Sequence, residues 1–190
     1  MDASPKGRIL RAAAHLFVTE GFAKTTVRQL AAAVGIQSGS LFHHFQNKEE
    51  ILEAVMVEVI LLNTELMRVA AASTDDPRAR VRALVVCELN SIHGETSEAM
   101  GLLMLEWRSL PPQAQTRVLV LRDVYEQIWL DALRGFSHGL VAIDPFILRR
   151  LVTGMLGHTG YWYRQAGPMS IETLADQVMS LLTRDQRASA

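Results

Sequence analysis

Apolar residues recur along most of the chain every three or four positions, which is the spacing of one face of an α-helix. Proline and glycine interrupt this pattern rather than fill it, and no strand-like alternation persists. The spacing therefore predicts an all-α protein with nine helices. Their expected ranges are roughly 5–20, 27–34, 39–45, 47–72, 77–93, 97–109, 112–136, 145–164 and 170–183.

The most informative stretch holds two of the shortest predicted helices, joined by a tight turn. Thr26 and Gln29 have the spacing of a capping box at the start of the first helix. Gly35 should end that helix, since glycine accepts the left-handed conformation of a helix C-terminus. Ser38 is expected to cap the second helix, with Leu41 facing inward. This spacing is typical of a DNA-binding helix-turn-helix, whose second helix enters the major groove.

The same stretch resembles the TetR (tetracycline-repressor) family of bacterial regulators. The resemblance rests on the run T-x-x-x-L-A-x-x-x-G-x-x-x-G-S-L-F-x-H-F-x-N-K-E-E, from Thr26 to Glu50. Two departures stand out: Phe42 occupies a position that is usually tyrosine in the family, and Ile36 and Gln37 replace the common Val-Ser pair. Membership would imply an N-terminal three-helix DNA-binding domain (1–47) and a C-terminal helical domain for ligand binding and dimerisation (48–190).

Several polar side chains in and beside the helix-turn-helix could contact DNA, through base edges in the major groove or through phosphate oxygens. The resemblance implies backbone contacts around His44 and Lys48, and the start of the first short helix offers hydroxyls and amides to a phosphate. The predicted DNA-binding residues are Thr25, Thr26, Gln37, Ser38, Ser40, His43, His44 and Lys48.

Charge is distributed unevenly over the chain of 190 residues, whose net charge is −1. Residues 1–48 contain six basic and two acidic residues, a net charge of +4, so the remaining residues carry −5. A basic N-terminal part followed by an acidic remainder suits binding to DNA through the N-terminal part.

The C-terminal part shows a different combination of residues. Glu88 lies on the apolar stripe of the fifth predicted helix, and a buried carboxylate needs a partner. Aromatic residues with a few polar groups in a helical domain are typical of a small-molecule pocket, although such residues are more often part of a core. The predicted ligand-binding residues are Glu88, Trp107, Arg108, Tyr125, His158 and Trp162, with Arg108 as the partner of an anionic group or of Glu88 or Glu106.

The last two predicted helices are apolar beyond a narrow stripe, which indicates an association surface. The family resemblance implies a homodimer built from helices 8 and 9, and Leu174 and Val178 are expected to face the partner. A weaker resemblance, over 160–176, is to regulators of fatty-acid or steroid breakdown. It would imply an acyl thioester or another apolar carboxylic acid as effector.

The leading interpretation is a repressor that a small apolar molecule releases from a palindromic operator in double-stranded DNA. The alternative is an activator or structural DNA-binding factor without a ligand. An enzyme is not favoured, because the sequence offers no nucleophile–base pair, metal motif or phosphate-binding glycine loop. We therefore expect no catalytic residues, no metal, no cofactor and no membrane span, and a cytoplasmic location. Cys87 is the single cysteine, so no intramolecular disulfide can form.

Overall fold

The computed structural model describes residues 4–183, and within them the chain is all-α, as the spacing predicted. We number the helices in chain order. They are α1 (Pro5–Leu16), α2 (Val27–Ala33), α3 (Ser38–Leu41), α4 (Lys48–Ala72), α5 (Pro77–His93), α6 (Ser97–Leu105), α7 (Pro112–Gly135), α8 (Pro145–Trp162) and α9 (Ile171–Leu182).

The capping box at the start of α2 is confirmed. The Thr26 hydroxyl oxygen accepts a hydrogen bond from the backbone N–H of Gln29 at 3.2 Å, and the Gln29 side-chain oxygen accepts one from the backbone N–H of Thr26 at 2.8 Å. Gly35 follows the end of α2 and has a φ of +72°, in the left-handed region that glycine adopts without a steric penalty. Local sequence therefore fixes the helix-turn-helix geometry at two points.

Two local predictions were wrong in detail. The expected cap residue Ser38 is the first residue of α3, while Gln37 occupies the N-cap position without a side-chain hydrogen bond. Helix α3 ends at Leu41 instead of continuing to residue 45. At the start of α4, Asn47 accepts a hydrogen bond from the N–H of Glu50 at 2.8 Å, and the Glu50 carboxylate reaches back to accept one from the N–H of Gln46 at 2.6 Å.

Helix α1 is also shorter than predicted, because a wider π-helical turn (Phe17–Gly21) replaces its last turn. Gly21 closes this turn with φ of +91°. The turn places the ring of Phe17 against that of Phe22, with centroids 5.0 Å apart in an edge-to-face arrangement. The α1–α2 connection is thereby anchored in apolar core.

Backbone contacts divide the chain into two compact units. Unit 1 comprises Met1–Leu62 and Glu95–Asp123, and unit 2 comprises Asn63–Gly94 and Val124–Ala190. This division differs from the predicted boundary after residue 47, because the core beneath the helix-turn-helix includes side chains that are distant in sequence. Those side chains are Ala99, Leu102, Leu110, Ala114 and Val118. Helices α4 and α7 each contribute one part to each unit.

Unit 2 has its own core, in which α5 packs against α8 and α9. Val81, Leu84, Val85 and Leu89 of α5 are fully buried, which agrees with their helical spacing. Leu174 and Val178 of α9 are also buried, with only 6% and 3% of their surfaces exposed. These two residues belong to the chain's own core, so the expectation that they face a second copy was wrong.

Candidate DNA-binding face and buried charge cluster

The short helix α3 and the turn after it present a polar, exposed surface. Four of the predicted DNA-binding residues are exposed there: Gln37, Ser40, His43 and His44. Beneath them, Leu41 is 1% exposed and Phe45 is 4% exposed, which holds the segment on the core of unit 1. Phe42 lies between the exposed polar residues with 53% of its surface exposed. This face can therefore offer hydrogen-bonding groups and one apolar ring to the edges of DNA bases.

Two other predicted DNA-binding residues, Thr25 and Thr26, flank the start of α2 with different exposure. The Thr25 side chain is buried, and its hydroxyl is close enough to donate to the carbonyl oxygens of Gly21 and Leu16, at 2.9 and 3.2 Å. The Thr26 side chain is exposed, but its hydroxyl takes part in the capping box. Thr25 thus serves the packing of the α1–α2 connection, and only Thr26 presents its side chain to solvent.

Lys48, the first residue of α4, is half-buried and bound to the protein itself. Its ammonium group donates to the carbonyl oxygens of Phe22 at 2.6 Å, Thr25 at 2.9 Å and Ala23 at 3.3 Å. It also lies 4.4 Å from the centroid of the Phe22 ring, within the range of a cation–π interaction. The exposed cations around the helix-turn-helix are instead Lys6, Arg8, Arg11, Lys24 and Arg28.

An open groove of about 880 Å³ lies in unit 1, between residues of α1, α4 and the start of α7. Four carboxylates line it: Glu49, Glu50, Glu53 and Glu58. Of these, Glu53 forms a bidentate ion pair with the guanidinium of Arg117, which also lines the groove. Such an acidic lining repels phosphates and carboxylates. None of the predicted ligand-binding residues lines this groove.

The most unusual feature of unit 2 is a buried guanidinium shared by two carboxylates. Arg149 of α8 has a side chain only 2% exposed, and it contacts Glu126 of α7 at 3.0 Å and Glu88 of α5 at 3.1 Å. The side chains of Glu88 and Glu126 are 5% and 11% exposed. A single cation thereby joins three helices at a site from which water is largely excluded.

Aromatic rings enclose this cluster, which we call the Arg149 cluster (Arg149, Glu88, Glu126, Tyr125 and Trp129). The guanidinium carbon lies 4.5 Å from the centroid of the Trp129 ring and 5.7 Å from that of Tyr125. Burial raises the pKa of the Tyr125 hydroxyl well above its usual value, and the neighbouring Glu88 carboxylate raises it further. Burial alone would lower the pKa of Arg149, but the two carboxylates outweigh it and raise that pKa.

The structure brings together only two of the predicted ligand-binding residues, Glu88 and Tyr125, in the Arg149 cluster. His158 and Trp162 lie on the exposed side of α8. Trp107 and Arg108 form a 3₁₀ turn after α6, in unit 1, where Trp107 is half-buried and Arg108 is exposed. Glu88 takes Arg149 as its partner, and Glu106 accepts a hydrogen bond from Ser109 at 2.6 Å.

Sequence reasoning missed Arg149 and Glu126, although helical phase contained a signal for the arginine. Arg149 shares one face of α8 with Val152, Leu156 and Thr159, all of which are buried. Its neighbour Arg150 is exposed, as expected for an arginine outside that face. An arginine in phase with a buried stripe indicates a buried partner, and Glu88 supplied the matching carboxylate.

His93, at the end of α5, is a second polar group at the core of unit 2. Its Nε2 lies 2.7 Å from the Thr159 hydroxyl oxygen, and its ring packs on Tyr163 with centroids 4.6 Å apart. Burial lowers the pKa of His93 below the usual 6.5. The folded state therefore prefers the neutral imidazole.

We expect this preference to make stability depend on pH. Because the pKa of His93 is lower in the folded state, its contribution is fully present above about pH 6.5 and is lost as the pH falls through the folded-state value. The Tm values of wild type and His93→Gln, measured by thermal unfolding between pH 7.5 and 5, should converge as the pH falls. Equal pH profiles for the two proteins would contradict this expectation.

The outer side of α8 is an exposed apolar stripe, which we call the α8 face (Ile147, Leu151, Gly154, His158 and Trp162). Ile147 is 50% exposed, Leu151 is 56% exposed and Trp162 is 51% exposed. At Gly154, no neighbouring atom lies within 4 Å of the position a Cβ would occupy. The face therefore offers apolar area and room for close approach.

Comparison with known proteins identifies the family. The family model of tetR bacterial regulatory proteins matches residues 9–55, and that of a tetracyclin repressor-like C-terminal domain matches residues 74–185. The second match alone covers more than half of the chain. This chain belongs to the TetR family. Its resemblance to that family in sequence is confirmed, and so is the architecture that the resemblance implied: a helix-turn-helix followed by a helical C-terminal domain.

Relatives of this TetR-family protein are similar over almost their whole length. The transcriptional repressor KstR2 of Rhodococcus jostii is 30% identical over 92% of this chain and 87% of its own. The crystal structure of the superantigen PfiT is 49% identical with a TM-score of 0.84, covering 98% of this chain and 100% of that one. PfmR, a TetR regulator of Thermus thermophilus, is 29% identical with a TM-score of 0.81, covering 94% and 98%.

The family and its repressor relatives support a ligand-responsive, DNA-binding transcriptional repressor. They do not favour the alternative of a ligand-free activator or structural factor. TetR-family regulators are in general not enzymes. In residues 4–183, no group of three or more histidine, cysteine or acidic side chains is arranged to hold a metal ion. Over the same residues, no helix combines the length and apolarity needed to span a membrane.

Proposed function

We propose that two copies of this TetR-family protein bind a palindromic operator and that an apolar acid or acyl thioester releases them. The exposed surface of α3 carries the first part of this proposal. It offers Gln37, Ser40, His43 and His44 above a core fixed by the Thr26 capping box and Gly35. A dimer places two such surfaces on successive turns of the major groove, so the operator should be palindromic.

The α8 face supports the homodimer. Its apolar residues are exposed in the single chain, whereas the buried residues of α9 already belong to the chain's own core. We therefore assign α8 the larger part of the interface and add Leu181 of α9, which is 67% exposed. A two-fold axis would pair each α8 with its copy, and Gly154 permits close approach of the two helices.

The relatives support the class of effector. The KstR2 structure of Mycobacterium tuberculosis, 25% identical with a TM-score of 0.82, is described as a ketosteroid transcriptional regulator. The same fold, at 24% identity, occurs in AibR, whose structure holds isovaleryl coenzyme A and operator DNA. On this proposal, Trp107 and Arg108 contact the effector, while His158 and Trp162 belong to the α8 face of the dimer. Glu88 and Tyr125 hold the core of unit 2 together in the Arg149 cluster.

The operator should be found by selecting bound sequences from a random DNA pool. The recovered palindrome is then labelled, and its release is followed by fluorescence anisotropy as acyl-coenzyme A thioesters and steroid carboxylic acids are added. Release by a member of either class supports the effector class. Undisturbed binding across both classes would favour a regulator that responds to another signal.

Arg108→Ala tests the anion contact. Because Arg108 is exposed, its loss should leave ligand-free operator binding nearly unchanged. The effector concentration needed for half-release should rise more than tenfold, since a charge-assisted hydrogen bond is lost. Loss of operator binding in this variant would show instead that Arg108 serves the fold.

The proposal includes two further points. We assign the protein no catalytic residue, so incubation with an effector should return that effector unchanged. Reading operator DNA also places the protein with the chromosome, in the cytoplasm. Mass spectrometry of the recovered effector checks the first point, and cell fractionation checks the second.

A further inference from the structure

The ammonium group of Lys48 is unusual because its protein contacts account for all of its donors. A lysine ammonium has three N–H groups, and three carbonyl oxygens lie within hydrogen-bonding distance of Nζ, those of Phe22, Ala23 and Thr25. A phosphate oxygen could bind Nζ only if at least one of these bonds were given up. The geometry therefore sets Lys48 apart from the exposed cations nearby.

The three carbonyls belong to the segment that joins α1 to α2. This segment is not helical, so its carbonyls depend on other donors. Its ends are anchored in the core of unit 1, because Phe22 packs against Phe17 and the Thr25 hydroxyl contacts the carbonyls of Gly21 and Leu16. Lys48 thus connects a rigid segment directly before α2 to the first residue of α4.

We infer that Lys48 is a positioning residue for operator binding: it ties the first turn of α4 to the α1–α2 segment and so fixes the orientation of the helix-turn-helix on α4. The inference rests on the proposed function, since the residues that Lys48 positions are those proposed to read the operator. Lys48 acts on DNA affinity through them, without a direct phosphate contact.

The test compares Lys48→Met with Lys24→Met. Both changes remove one positive charge near the helix-turn-helix, but Lys24 is exposed and lies within the tied segment itself. Without DNA, Lys48→Met should lower the Tm by about 4 °C or more, because charged hydrogen bonds are lost, while Lys24→Met should leave the Tm unchanged. This measurement does not depend on the identity of the operator.

Operator binding is then measured at several salt concentrations, at a temperature where circular dichroism shows both variants folded. We expect Lys48→Met to lower the affinity about tenfold and to leave the slope of log K against log salt unchanged, since no phosphate contact is lost. It should also weaken the preference for the natural half-site spacing over operators lengthened or shortened by one base pair. Loss of global stability alone would not change that preference in folded protein.

Lys48→Arg completes the test, because a planar guanidinium does not fit a cage of three carbonyls around one nitrogen but binds phosphate well. Failure of arginine to restore the Tm and the spacing preference supports the inference. A salt slope shallower by about 0.9, an unchanged Tm or full rescue by arginine would overturn it. A wild type with no preferred DNA sequence would refute the proposed function and leave the Tm result standing.

Discussion

Arg149→Ala should lower the free energy of unfolding by about 3–5 kcal/mol. The reason is that the change leaves the carboxylates of Glu88 and Glu126 buried without their shared cation. It also removes the guanidinium that packs 4.5 Å from the Trp129 ring. Urea unfolding followed by circular dichroism measures the effect directly.

The matched control is Arg150→Ala, one residue along the same helix. Arg150 is exposed and lies against the ring of Phe146, with its guanidinium carbon 4.9 Å from the centroid. Its loss should change the free energy of unfolding by no more than about 0.5 kcal/mol. Equal effects of the two substitutions would mean that helix propensity, and not the Arg149 cluster, sets the outcome.

Neutralising the cluster separates the cost of isolated charges from the value of the ion pairs. In a triple variant, Arg149→Met is combined with Glu88→Gln and Glu126→Gln, so that no charge stays buried. More than half of the stability lost in Arg149→Ala should return, because a buried charge without its partner costs more than the pair contributes. A triple variant as unstable as Arg149→Ala would contradict this account.

Leu151→Glu should convert the proposed dimer to a folded monomer and lower operator affinity at least 100-fold. Leu151 is 56% exposed at the middle of the α8 face, so a carboxylate is tolerated in the single chain but not between two apolar helices. A monomer also loses the gain in effective concentration that joins two half-sites. Sedimentation at micromolar concentration and operator titration are the measurements.

Two further variants serve as controls for Leu151→Glu. Val120→Glu introduces the same charge at an exposed apolar residue of α7, 61% exposed, and should leave the dimer intact. Leu174→Glu introduces it into the core of unit 2 and should unfold that unit instead of producing a monomer. A well-folded monomeric wild type would refute the interface on the α8 face altogether.

Sequence alone predicted the helix-turn-helix because its determinants are local. A cap at Thr26, its partner at Gln29 and the left-handed Gly35 lie within ten residues, so they act before any distant contact forms. The same holds for Asp76 and Asp144, each followed directly by a proline, which cap α5 and α8. The length of α3 was overestimated, because Leu41 packs on the core from the end of this helix but Phe45 does so from the segment after it.

Tertiary structure decided which helical faces became core. Leu52, Val55, Val59, Leu66 and Val69 share helical spacing along α4. The first three are buried, but Leu66 and Val69 are 45% and 63% exposed. There the buried side passes to Asn63, Thr64 and Met67. Periodicity gives a helix its apolar face, but only the neighbouring helices determine where along its length that face is covered.

The nine α-helices within residues 4–183, the helix-turn-helix and the TetR family were thus predictable from the sequence, through local caps, apolar spacing and one dense motif. The sequence did not predict which cation pairs with Glu88, or which carbonyl oxygens accept the hydrogen bonds of Lys48. Arg149 follows Glu88 by 61 positions, and Lys48 follows the carbonyls it binds by 23 to 26. Such pairings depend on the packing of whole helices, which brings together charges that no local pattern relates.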